Sequence, residues 1–204
     1  MRFFFSLLFL ISQTSFAAPV TKQKPIVRAL RAAVLTLNPY ILTGMPSYTV
    51  SMSMLEHLVD ADPLTGDSVP ALALRWEISK DKKIFTFHLR PNVQWHDGEP
   101  LTAEDVKFSF DSLFDPQYEG RTWSFIVDCV KDVEVVDPLT VRFIMRNVQF
   151  NDFKDVSRGL RILPKHFYTK VPKAKWNSEC IGTGPYKLKK FISGRQVEFV
   201  TNED

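Results

Sequence analysis

Val93-Gln94-Trp95-His96-Asp97-Gly98-Glu99-Pro100-Leu101-Thr102-Ala103-Glu104-Asp105-Val106 holds the clearest local signals in the chain. Val93 to Trp95 reads as a short extended piece, and Asp97-Gly98 turns it. Thr102 then sets a hydroxyl at a helix N-cap, with the Asp105 carboxylate three residues on. These groups satisfy N–H donors that the first helical turn leaves over, and they put negative charge at the positive end of the helix. Val106, Phe110, Leu113 and Phe114 form one apolar face, so the spacing predicts a helix from Ala103 to Leu113.

Upstream, Ile84 to Leu89 reads as a strand with Phe85, Phe87 and Leu89 on one face. Ser79 to Lys83 and Arg90-Pro91-Asn92 are the turns that bound it. Asp62-Pro63-Leu64-Thr65-Gly66-Asp67 is another turn, and Pro70 to Leu74 leads into Trp76. Tyr48, Met52, Leu55 and Val59 recur at helical spacing, predicting an amphipathic helix over Ser47 to Leu58. Ile26 to Leu37 is rich enough in aliphatic residues for an early strand, ended by Asn38-Pro39. Downstream, Val133–Val136 and Val141–Met145 flank Asp137-Pro138-Leu139-Thr140 as a hairpin, and Tyr186–Phe191 and Gln196–Val200 flank Ser193-Gly194-Arg195 as a second. Arg161 to His166 bends into a short helix or turn. The class is α/β in the mixed α+β sense.

The chain has 204 residues, 24% charged and 45% hydrophobic, which is globular rather than disordered. Its 26 Lys+Arg against 23 Asp+Glu are scattered, which argues against a nucleic-acid partner. The start is patterned: Arg2, an apolar run from Phe3 to Ile11, then Ser15-Phe16-Ala17 with small residues at the two positions a signal peptidase reads. We read residues 1–17 as a secretory signal and 18–25 as a leader. With no cysteine near the cleavage point, no lipid anchor is expected, and the compartment is the periplasm. That compartment permits a disulfide, so Cys129 and Cys180 are either paired or separately buried.

Searching for catalytic chemistry gives little. His57, His88, His96 and His166 have no metal-ligand spacing, and no nucleophile motif is present. Neither an enzyme nor a cofactor is expected. Gly182-Thr183-Gly184 looks like half a phosphate loop, but Pro185 and a strand follow, so a glycine-assisted turn is the better reading. His96, Asp97 and Glu99 are likewise better read as a polar turn than as an acid–base cluster.

In order along the chain, Pro70-Ala71-Leu72-Ala73, Trp76-Glu77-Ile78-Ser79, Phe85 to Arg90, Val93 to Val106 and Gly182-Thr183-Gly184-Pro185-Tyr186 resemble family 5 of the bacterial extracellular solute-binding proteins. The resemblance covers nearly the whole mature chain. It implies a periplasmic binding protein-like fold of class II, a two-lobed receptor that closes on its solute. Residues 18–49 would start lobe one, 50–160 would form a small inserted domain, and 161–204 would return to lobe one. The H-D-G and A-E-D-V motifs would then be structural. Family members continue from here into a second lobe, so the chain reads as an N-terminal portion.

The implied function is the exported substrate-binding component of an ABC importer, acting as a monomer with an inner-membrane ABC permease. Peptides are the expected solute, although nickel, sugar and opine receptors share these motifs. Leu37, Asn38 and Tyr40, after the early strand, are the candidate ligand residues, with a surface turn around one buried aromatic as the alternative. Two rival readings remain: a stand-alone periplasmic interaction protein or non-functional fragment, and, more weakly, an exported hydrolase.

Overall fold

The computed structural model describes residues 27, 29–41, 44–115 and 124–203. The signal and leader readings of residues 1–25 lie outside them. The elements it contains are a mixture of short helices and antiparallel strands, as the sequence class requires.

Helix α1 (Met45–Met54) leads through a loop to β1 (Val59–Ala61) and β2 (Ser68–Pro70), a hairpin. Its turn is the expected one: Asp62 Oδ1 accepts the N–H groups of Leu64 and Thr65 at 2.8 and 3.0 Å. A four-stranded antiparallel sheet follows, in the order β3 (Ala73–Ile78), β4 (Ile84–Leu89), β6 (Thr140–Met145), β5 (Val130–Asp137). Helices α2 (Ala103–Ser112) and α3 (Ser124–Cys129) lie between β4 and β5 in the chain, so β4 waits for β6 as its inner neighbour.

The alternation in β4 does what its sequence dictates. Phe85, Phe87 and Leu89 are buried, while Ile84, Thr86 and His88 are half-buried on the other face. The buried face meets two helices. Phe110 of α2 packs edge-on to Phe143, and Phe153 of α4 (Asp152–Gly159) stacks on Phe87 and meets Phe85 edge-on. This aromatic core continues to Trp95, which is 2% exposed.

The chain then forms a bend, the short helix α5 (Lys165–Tyr168), a 3-10 turn (Lys173–Lys175) and the hairpin β7 (Tyr186–Ile192)–β8 (Gln196–Thr201). Its turn carries Gly194 at φ 73, in the left-handed region that glycine enters without steric cost.

Two expectations are corrected. Among the described residues up to Leu37 there is no strand. This segment makes isolated backbone bonds instead of a ladder, from Gly194 N–H to Val34 O and from Leu37 N–H to Asn177 O. The α1 stripe is also different. The helix stops at Met54 because Leu55 is extended, and it buries Ser47, Val50, Ser51 and Met54 while Met52 is exposed. Small side chains face inward here, and a pattern built on large ones misses them.

Candidate functional site

The end of α1, the Gly182–Gly184 loop, His96 and Arg161 converge on one polar junction. The junction exists because two glycines permit it. The N–H of Gly184 donates to Met54 O at 2.8 Å. A Cβ on Gly182 would stand 1.9 Å from that same oxygen, and one on Gly184 2.8 Å from it. Close backbone approach, not phosphate binding, is what these glycines serve.

His96 ties the loop down. Its backbone N–H donates to Gly182 O at 2.9 Å. Its Nδ1 accepts from the N–H of Gly182 at 3.1 Å, and its Nε2 donates to Gly184 O at 2.9 Å. Burial holds this imidazole below the usual histidine range, and the Lys187 charge acts the same way. The neighbouring Asp97 faces elsewhere, toward Nε2 of His166 at 2.9 Å. His96 and Asp97 thus belong to separate contacts, in agreement with the turn reading.

On the other side of the α1 end stands Arg161, 1% exposed. Its guanidinium donates to His57 Nδ1 and, at 3.2 Å, to the hydroxyl of Tyr48. The far nitrogen of His57 faces Asp60 at 3.6 Å, so the buried cation is linked to a carboxylate through an imidazole. Burial, and next the Arg161 charge, push His57 down to about 4. Beside it, burial raises Glu56 above the ordinary carboxylate range.

The three residues expected to touch a ligand are buried, and Tyr40 meets the Arg161 carbonyl. Leu37, Asn38 and Tyr40 are 0%, 3% and 1% exposed. Asn38 Oδ1 accepts the Tyr40 N–H at 2.9 Å, and the Tyr40 hydroxyl lies 2.8 Å from Arg161 O and 3.0 Å from Ser109 O. The turn is therefore built into the core: the Asn38 side chain closes it, and the Tyr40 hydroxyl lies between Arg161 and α2. Sequence reading named this turn as the ligand candidate and did not bring together His57, His96 and Arg161, which are far apart in sequence and share no motif.

Cys129 and Cys180 are both free and buried. Their thiols donate to Ile126 O and Ile181 O, at 3.5 and 3.7 Å. Burial pushes each thiol up to about 12, so neither is a thiolate nucleophile at neutral pH. Among the described residues no group of three or more His, Cys, Asp or Glu is gathered to hold a metal ion, and no helix is long and apolar enough to cross a membrane. The junction offers neutral imidazoles, one buried cation and many backbone groups. That is chemistry for holding segments of the chain in place.

Comparison with known proteins follows the same line. Residues 67–204 match the family described as bacterial extracellular solute-binding proteins, family 5 Middle. The periplasmic oligopeptide-binding protein OppA of Salmonella typhimurium is 39% identical over 198 residues, covering 88% of this chain and 36% of that protein. The dipeptide-binding protein of Escherichia coli is 30% identical over 184 residues, covering 79% of this chain and 34% of that one. Among solved structures, the periplasmic binding protein DppA of Helicobacter pylori in complex with the peptide STSA superposes with a TM-score of 0.75 at 25% identity. That superposition covers 85% of this chain and 38% of the other. The chain thus spans about a third of the length of the curated relatives it matches.

Proposed function

The chain belongs to the family 5 bacterial extracellular solute-binding proteins, and from that premise we propose that it is the substrate-binding component of an ABC importer with peptide as its solute. Export through residues 1–17 would deliver it to the periplasm. There it would act as a monomer, without catalysis, and hand its solute to an inner-membrane permease. In this reading residues 18–49 and 161–204 belong to lobe one and 50–160 to the small inserted domain. Solute binding would favour the closed receptor because the solute contacts both lobes.

One observation carries the reading: the fold matches, over 85% of the chain, a receptor solved with a peptide bound. The test is thermal melting of the purified chain against a set of di- to pentapeptides. A ligand that binds only the native state at about 100 times its Kd adds about 2.7 kcal/mol, which moves the melting temperature upward. A cooperative melt that no peptide shifts overturns peptide binding by this chain.

A second reading, a periplasmic interaction protein with no transport role, is favoured by the apolar exposure on the β7–β8 hairpin. Tyr186 and Val200 are 43% and 45% exposed there, with Leu35 beside the hairpin turn at 53%. It predicts self-association or partner capture in the same preparation, with no response to peptide.

A further inference from the structure

We propose that the junction between the α1 end, the Gly182–Gly184 loop and Arg161 is an acid-sensitive fastening that holds only while His57 and His96 are both neutral. The argument is one of donors and acceptors. A backbone N–H and a guanidinium can only donate. Gly182 N–H points at Nδ1 of His96, and the Arg161 guanidinium points at Nδ1 of His57. Each Nδ1 must therefore be unprotonated, and the proton of each ring sits on Nε2, toward Gly184 O in one case and Asp60 in the other. A second proton has only Nδ1 to go to. It would set a donor against a donor in His96, and an imidazolium against a buried guanidinium in His57.

The surrounding charges are mixed. Arg161 and Arg158 oppose a charge on His57, and Asp60 favours it. Lys187 opposes a charge on His96, and Asp97 favours it. The other two histidines are placed differently. Nε2 of His166 faces Asp97 at 2.9 Å, and Nε2 of His88 faces Glu77 at 3.4 Å. A proton on either of these rings keeps a carboxylate contact. Only the two junction rings accept from groups that cannot change role.

The two rings act on one stretch of chain. Residues 54–57 are fastened by Gly184 N–H to Met54 O and by Ile162 N–H to Glu56 O. His96 steadies the first bond and His57 the second. Protonation of both would free the α1 end from the Gly182–Gly184 loop and from the Arg161 segment together. The sign follows from the lowered pKa values in the folded chain. The stabilisation is full above the unfolded histidine value of about 6.5, and drains as pH falls toward the folded values. With His57 at about 4, that ring alone changes the folded-to-unfolded ratio roughly 10²-fold over this range.

The test uses the full chain, 15N-labelled, with imidazole nitrogen shifts and urea melts followed from neutral to acid pH. The expected result is that His57 and His96 stay neutral as Nε2–H tautomers below the ordinary histidine range. Stability should fall as they charge, and amide exchange at Gly182 and Gly184 should speed up beyond its intrinsic rate. His57→Gln and His96→Gln supply an acceptor oxygen that does not titrate, and together they should flatten the acid limb by at least tenfold in the folding ratio. Rings already charged near the ordinary histidine value, or an unchanged limb in the double variant, overturn the proposal. If the glutamine variants do not fold, the wild-type tautomers and titrations decide it alone.

Discussion

Gly182 sits where backbone meets backbone, so its lack of a side chain is a spatial requirement and not a matter of flexibility. A methyl group there would meet Met54 O at 1.9 Å, and neither partner is the loose end of a side chain. Gly182→Ala should therefore cost about 3 kcal/mol, the upper part of the range for overpacking, read from urea denaturation. Gly66→Ala is the contrast. At φ 76 with nothing within 4 Å of its Cβ, it should cost only the left-handed backbone strain, about 1–2 kcal/mol. Equal effects of the two would remove the close-approach account. Sequence alone showed that Gly182-Thr183-Gly184 is a turn and not a phosphate loop, because Pro185 breaks the motif. It did not show what the glycines make room for, since Met54 is brought there only by the fold.

At the level of elements, Asp105 shows how one legible cap hides a second task. Its Oδ2 accepts the Thr102 N–H at 2.8 Å, which is the capping box read from the sequence. Its Oδ1 accepts the N–H of Lys165 at 2.8 Å, so the start of α2 and the start of α5 share one carboxylate. The indole of Trp95 also approaches it, at 3.4 Å. Losing a cap costs about 1 kcal/mol, and each buried donor left over adds about 1–3 kcal/mol. Asp105→Ala should thus lose about 2–4 kcal/mol, with a change in the tryptophan near-UV signal that Thr102→Ala does not produce. A loss no larger than that of Thr102→Ala would mean that α5 is held by other contacts. Hairpins and caps were legible because their partners are neighbours in sequence. The α1 face was not, because what packs on Ser47 and Ser51 is decided elsewhere in the chain.

At the scale of the whole molecule, the thiols report whether the core is closed. Cys129 and Cys180 are 8% and 3% exposed with thiols pushed up to about 12, in different parts of the fold. Both should resist a thiol reagent in the native chain and react at once in denaturant, and mass spectrometry should find two free thiols. A linked pair would show that the fold rearranges on oxidation. The family-level architecture was legible from motif order, whereas the junction was not, because it unites residues such as His57 and Arg161 that stand 104 positions apart. Such separations recur: Thr36 reaches Asn177 across 141 positions, and Leu35 O is met by Ser193 across 158. Strand β4 likewise gains its inner neighbour only after two helices and β5 have passed. These contacts of early segments form only once the late ones exist, and pairings of this kind form slowly. A ribosome that releases the chain from its N-terminus therefore handles a thread that has not yet closed on itself.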